Sequence, residues 1–189
     1  NGEIILPSNH TNNELISRLN LKDVYTVIYA GNMGLAQEID SLIKLISLFK
    51  GRSDIQFIFI GGGTRYNDIE TAIADQRLDN VRLLPHQTRS DLSAYLGLAD
   101  IGIVTLAVEL EGLAIPTRTY CYFAAGLPIL GIAHAKSELE KFAEEGLGVH
   151  FQPDSMDAIT AWIDQEICQG SHFSTTEIRH QFEARFDRP

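Results

Sequence analysis

Arg118 stands two residues after Pro116 in "GLAIPTRTYCYFAAGLP", between one apolar run and the next. Its guanidinium is a planar fork of donors that can grip a phosphate bidentately. Proline suits the first turn of a helix, where its missing N–H costs nothing. The spacing therefore predicts a helix over 116–125 whose free N–H groups and positive dipole end gather beside the arginine. With the hydroxyl of Thr117, that is an anion site. The alternative is a salt bridge from Arg118 to Glu109 or Glu111, a common kind of surface pair. Tyr120 and Phe123 read as core, on a helix in which Arg118 is the only ionic group.

Two glycine turns could share that ligand: "AGNMG" (30–34) and "GGG" (61–63). Glycine lets the backbone approach a phosphate or sugar and take positive φ, which makes Gly31, Asn32, Gly34 and Gly62 candidates. "GGG" reads equally well as a tight strand-to-helix turn. Gly31 and Gly34 do not complete G-x-G-x-x-G, and no acidic residue closes the second run to hold a ribose, which disfavours a dehydrogenase. Leu84 and Pro85 precede His86. Proline leaves carbonyls free, so this stretch can offer backbone atoms to a nucleobase edge, while the imidazole reads as solvated.

What must position these residues is an alternation of short apolar runs with helical patterns. The runs 24–30, 55–60, 81–84, 101–106, 128–132 and 148–151 are near-continuous and β-branched-rich, as strands buried on both faces are. Leu35, Ile39, Leu42, Ile43 and Ile46 repeat at helical spacing between the first two. Further helices are predicted at 65–77, 88–97, 116–125, 137–145, 155–168 and 174–186, with Thr88 and Asp91, and Ser174 and Glu177, at capping spacing. Strand alternating with helix implies parallel βαβ units, hence an α/β, doubly wound, Rossmann-like parallel sheet of about six strands. Ligands of such sheets bind beyond the strands' carboxyl ends, which is where every candidate above lies.

Composition limits the partners. The 189 residues, 44% hydrophobic, suit one domain. A net charge of −10 with scattered basic residues gives no footprint for nucleic acid. Cys121 and Cys168 lack C-x-x-C spacing, which argues against a disulfide framework or zinc site and makes a reducing compartment the default. No apolar run approaches the ~18 residues of a membrane span, and no signal peptide is recognisable. Asn9-His10-Thr11 matches a glycosylation sequon, a pattern too short to weigh much. The chain begins at Asn1, and "NGEIILPSNHTNNEL" reads as a mid-chain loop, so an excerpt of a longer protein is expected. Residues 1–23 are read as an interdomain linker or entry segment, 24–170 as the ligand-binding domain, and 171–189 as a C-terminal helix.

Five stretches, "YAGNMGLAQEIDSLIKLISL", "FIFIGGG", "VRLLPHQTRSDLSAYLGLADIGIVTL", "GLAIPTRTYCYFAAGLPIL" and "GLGVHFQPDSMDAITAWI", stand in this order. Together they resemble the C-terminal, donor-binding domain of a GT-B glycosyltransferase of the large retaining group 1 family, the O-antigen and exopolysaccharide type. The resemblance implies that Gly31, Asn32, Gly34 and Gly62 approach the donor, with Gln37 where many relatives carry a pyrophosphate-binding lysine. It implies that Leu84 and Pro85 border the base, that Glu111 and Gly112 lie near the ribose and sugar, and that Thr117 and Arg118 replace the usual Ser-Lys of a "P-S-K" block. The family's E-x7-E pair is absent as spaced, its places being held by Leu113 and Cys121, so the resemblance would pass the carboxylate role to Glu111 or Glu109.

The implied function is transfer of a sugar from a nucleotide-diphosphate sugar, UDP before GDP, to a glycan or lipid-linked acceptor. Arg118 and Glu111 would be the catalytic residues and this chain the donor-binding part. No D-x-D occurs, and Mg²⁺ favours carboxylates with substrate phosphates, so no metal or other cofactor is expected. The acceptor site would belong to a missing N-terminal domain toward which the last helix leads, and the chain alone should transfer nothing. A cytoplasmic place is expected, at the inner face of the membrane if the acceptor is lipid-linked, with any membrane association through the missing domain or that acceptor. The alternatives are a GT-B sugar-nucleotide 2-epimerase and a non-enzymatic α/β regulatory module. The epimerase would want acid/base carboxylates and histidines around the cleft. The regulatory module would want an acidic cluster after the first strand, and "AGNMG" has none.

Overall fold

In the computed structural model, which describes residues 13–108 and 116–186, the six apolar runs are six parallel strands of one sheet. β1 (Tyr25–Asn32), β2 (Ile55–Gly62), β3 (Val81–Leu84), β4 (Ile101–Thr105), β5 (Ile129–Ile132) and β6 (Gly148–Phe151) lie in the order β3-β2-β1-β4-β5-β6. This is the doubly wound order. The chain winds outward in both directions from the β1/β4 boundary, the topological switch point where such sheets open a crevice. In the interior, β2 is buried at every position but its last, which is why its run shows no polar alternation. The edge strands β3 and β6 are only partly buried after their first residue.

Alternate side chains of β1 feed two cores, as a pleated strand requires. Val27 and Tyr29 join the layer formed with α2 (Ile39–Leu48), α3 (Tyr66–Gln76) and α7 (Met156–Gln169). Ile28 and Ala30 join the opposite layer, formed with α1 (Asn13–Leu19), α4 (Arg89–Leu96), α5 (Thr117–Ala124), α6 (Glu138–Glu144) and α8 (Thr175–Phe186). Thr88 Oγ1 and Ser174 Oγ accept the backbone N–H groups of Asp91 and Glu177, at 3.2 and 3.3 Å, so both expected caps form. Among the described residues no helix is long and apolar enough to cross a membrane.

Two local expectations change. Part of the segment 1–23 expected as a linker is a helix of this domain: α1 buries Leu15 and Leu19, with Leu21 just after it, and Arg18 donates to the Tyr95 hydroxyl of α4 at 3.1 Å. The helix expected to include Leu35 begins only at Ile39, and Leu35 is 82% exposed in the turn before it. There the Ala36 carbonyl accepts the Ala107 N–H at 3.2 Å, a contact between loops that helical backbone at 35–38 would not offer. The C-terminal helix α8 packs on α5, where Thr175 closes against Gly126 and Ile178 is buried.

Candidate functional site

β1 and β4 share a short ladder, Val27 beside Ile101 and Ile28 beside Gly102. Below it, the pair is extended by Asp100, whose N–H donates to the Thr26 carbonyl at 2.8 Å while its carboxylate accepts the Thr26 N–H at 2.7 Å. Above it, the gap is filled from α5. The fully buried Tyr122 hydroxyl accepts the Ala30 N–H at 2.8 Å and lies 3.5 Å from the carbonyls of Ile28 and Ile103. Burial pushes the Tyr122 phenol well above its ordinary range, so the hydroxyl keeps its proton. Its ring lies on Gly102, where an added Cβ would stand 2.4 Å from Cδ2.

Above Tyr122 opens a cleft of about 340 Å³ whose walls include Gly31, Asn32, Gln37, His86, Thr117 and Arg118. Its floor and apolar side come from Ala30, Ile60, Leu92, Leu96, Cys121 and Tyr122. Five expected site residues, Gly31, Asn32, Gln37, Thr117 and Arg118, thus meet around one cavity at the switch point. Pro116 is the N-cap of α5 and not its first helical residue, and its own side chain makes no capping hydrogen bond to the first turn.

Arg118 is 8% exposed. Its Nη2 donates to the Asn32 carbonyl at 2.9 Å, and its Nη1 is buried with no hydrogen-bond partner among the described residues. Among the described residues no carboxylate pairs with it; Glu109, Glu111, Gly112 and Leu113 lie outside the described residues, and so does the salt bridge considered for them. Gln37 reaches the cleft from the turn after β1, its Oε1 3.4 Å from the Thr105 hydroxyl. Cys121 also lines the cleft, and burial pushes its thiol up, opposed by the charge of Arg89.

The remaining described candidates, Gly34, Gly62, Leu84 and Pro85, do not line this cavity. An added Cβ on Gly61 would meet the Gly31 carbonyl oxygen at 2.0 Å, and one on Gly63 would meet Asn32 Oδ1 at 2.4 Å. The outer glycines of "GGG" therefore let two backbone turns close on each other, a packing role, and Gly62 faces His86, whose Nε2 stands 3.2 Å from its Cβ position. Gly34 tucks under the Asn32 amide. Leu84 ends β3, and the Pro85 carbonyl is held by Gln87 Nε2 at 2.8 Å. A base at that edge would have to displace this amide or use its neighbours. Sequence reasoning missed Tyr29 and Tyr122. The only signal was a polar hydroxyl inside an apolar run, which must find a partner when buried.

Among the described residues no group of His, Cys, Asp and Glu side chains is placed to hold a metal ion. The arrangement brings together a buried guanidinium, the start of α5 and neighbouring amide and hydroxyl groups, the kinds of donor an anion would need.

Residues 12–182 match the family described as glycosyl transferases group 1. The chain belongs to that family. The probable glycosyltransferase WbjE of Pseudomonas aeruginosa is 28% identical over 142 residues, 75% of this chain and 35% of the relative. Anabaena HepE in complex with UDP and glucose superposes with a TM-score of 0.74 at 15% identity, covering 98% of this chain and 51% of that one. The corresponding values for sucrose-phosphate synthase from Thermosynechococcus elongatus are 0.73 at 20% identity, 92% and 44%. For a variant of S. aureus TarM in complex with UDP they are 0.71 at 17%, 87% and 33%. These likenesses establish the Rossmann-like fold of GT-B glycosyltransferases. The chain spans about a third of its curated relative and a third to a half of these structures.

Proposed function

We propose that this chain binds the nucleotide diphosphate of a sugar donor, UDP before GDP, and that the whole protein transfers the sugar to a glycan or lipid-linked acceptor. The observation that carries the reading is Arg118: a guanidinium 8% exposed, on the wall of the switch-point cleft, with no carboxylate partner among the described residues. Its positive charge is free to meet a diphosphate in that cleft. The leaving nucleoside diphosphate carries the charge that develops in transfer, so a cation already held in place stabilises it without reorganising. Thr117, Asn32 and Gln37 would add hydrogen bonds, and the backbone at Gly31 would let the phosphates come close. Glu111 remains the proposed carboxylate near the sugar, with Gly112 beside it. The binding of UDP by HepE and TarM supports the donor class.

Because the chain is a third to a half of its relatives' length, the acceptor and the second wall of the cleft are assigned to the remaining polypeptide. The chain alone should bind UDP weakly and transfer nothing. Calorimetric titration of the chain with UDP tests the reading. Arg118→Ala should weaken binding by about 1.5–3 kcal/mol, the usual worth of a hydrogen bond to a charged group, which is roughly 10- to 150-fold. Unchanged affinity would remove Arg118 from the site. With no D-x-D in the sequence, we further propose binding without a metal: EDTA should leave the UDP affinity unaltered, and a large loss on chelation would overturn that.

A further inference from the structure

The guanidinium of Arg118 is held by more than the Asn32 carbonyl. Its Cζ stands 4.1 Å from the centroid of the Tyr29 ring, and the Tyr29 hydroxyl donates to that same Asn32 carbonyl at 2.8 Å. Tyr29 in turn stacks on Phe59, centroids 5.6 Å apart and planes 30° apart, because the β1/β2 register sets those two residues side by side. Phe59, Tyr29 and Arg118 therefore form a column. Its lower two members belong to the core on the α2 side of the sheet, whereas Arg118 comes from α5 on the other side. The arginine reaches across the end of β1, past Gly31, whose added Cβ would lie 3.4 Å from Cζ and Nε.

We infer that Tyr29 is a positioning residue for donor binding: its ring and hydroxyl, with the Asn32 carbonyl, hold the Arg118 guanidinium at the wall of the cleft for the donor's phosphate. This rests on the phosphate reading above. A planar, weakly hydrated guanidinium stacks on an aromatic face and keeps its in-plane donors free, which a compact ammonium cannot do. Phe59 below fixes the tilt of the Tyr29 ring. The shared carbonyl fixes rotation in the plane, since Nη2 is committed to it and Nη1 is not. Burial pushes the Tyr29 phenol up, against the pull of Arg118, so the hydroxyl remains a donor to that carbonyl. Without the ring, the flexible arginine stem would have to order on binding, an entropic cost that falls on donor affinity.

The test uses the 189-residue chain and UDP, in a double-mutant cycle of Tyr29→Leu with Arg118→Ala, and with Tyr29→Phe as the variant that restores the ring. Tyr29→Leu should weaken UDP about 5- to 30-fold, the range of a desolvated cation–π contact. It should add less than about twofold once Arg118 is already alanine, and Tyr29→Phe should recover most of the loss. The Arg118 Nε–Hε resonance, read without nucleotide, should be displaced by the ring current in the wild type and in Tyr29→Phe, and return to its random-coil position in Tyr29→Leu. An equal loss from Tyr29→Leu in both arginine and alanine backgrounds would show a role in the fold alone and overturn the inference. So would an undisplaced wild-type resonance, which decides the matter even if Tyr29→Leu fails to fold. If instead Arg118→Ala leaves UDP binding intact while the resonance is displaced, the stack exists but the phosphate reading fails, and the inference falls with it.

Discussion

Tyr122→Phe removes one oxygen atom from the floor of the cleft, and the structure says where the cost falls. The Ala30 N–H has lost its ladder partner because β1 and β4 part above Ile28 and Gly102, and it donates to the Tyr122 hydroxyl at 2.8 Å. Ala30 is 7% exposed and Tyr122 fully buried, so water cannot readily replace the lost acceptor. A buried donor left unsatisfied costs about 1–3 kcal/mol. The two carbonyls near the hydroxyl, each at 3.5 Å, lose contacts too long to add much. For a chain of this size 1 kcal/mol corresponds to about 2–4 °C, so a loss near 2 kcal/mol should lower the melting temperature by about 4–8 °C. Calorimetry gives the temperature, and amide exchange gives the place. The Ala30 amide should exchange faster in Tyr122→Phe, while that of Phe57, bonded to the Asn80 carbonyl within the neighbouring ladder, should keep its protection. A variant melting within about 1 °C of wild type, with Ala30 equally protected, would refute the idea that the tyrosine bridges the parted strands.

Gly102→Ala should be destabilising by about 1–3 kcal/mol, the usual range for overpacking, because its Cβ would meet the Tyr122 ring at 2.4 Å and that ring is held by its hydroxyl; thermal melting measures it. The Cys121 thiol, pushed up by burial, should stay protonated at neutral pH, and its alkylation by iodoacetamide should accelerate only above the pH at which that of a free cysteine in a short peptide does. UDP should slow Cys121 and leave Cys168 unchanged, as peptide mapping would show; equal protection of both would place the nucleotide elsewhere.

The strands were legible because burial on both faces leaves a plain mark, a β-branched run with no polar interruption, and the doubly wound order follows once strands and helices alternate. Helix α1 was not legible: Leu15 and Leu19 stand among Asn, Glu, Ser and Arg, and only the groove beside α4 makes them core. Leu35 misled in the opposite direction, since its spacing from Ile39 and Leu42 is helical although the chain must first turn beside Ala107. In the site, Arg118 could be found from its type and its place after Pro116. Tyr29 and Tyr122 could not, because an aromatic in an apolar run reads as packing. What each does depends on where its hydroxyl lands, for Tyr29 on a carbonyl 3 residues on in the same strand and for Tyr122, from a helix, on an N–H of β1 92 residues back. Residue type reveals capacity, and only the register of β1 against its neighbours turns that capacity into geometry.

The same register explains why a short helix can hold Arg118 steady at the cleft. Arg118, Tyr122 and Gly126 follow at intervals of four along α5 and its end, so they fall on one side of the helix. Arg118 reaches the cleft, and Tyr122, one turn on, is locked to β1 by the Ala30 N–H. Gly126 takes the left-handed conformation that ends the helix, with the Leu127 N–H bonded to the Tyr122 carbonyl and its own N–H to that of Phe123, both at 2.9 Å. Its missing side chain lets Thr175 of α8 close on it, where an added Cβ would come within 2.4 Å. The helix is thus fixed at its foot by α8, at its middle by the parted strands, and at its head by Asn32 and Tyr29. A displacement at any of these points would carry the guanidinium with it. On the proposed reading the cation must already be in place when the phosphate departs, and α5 would keep it there by being anchored along its whole length rather than by any contact of Arg118 alone.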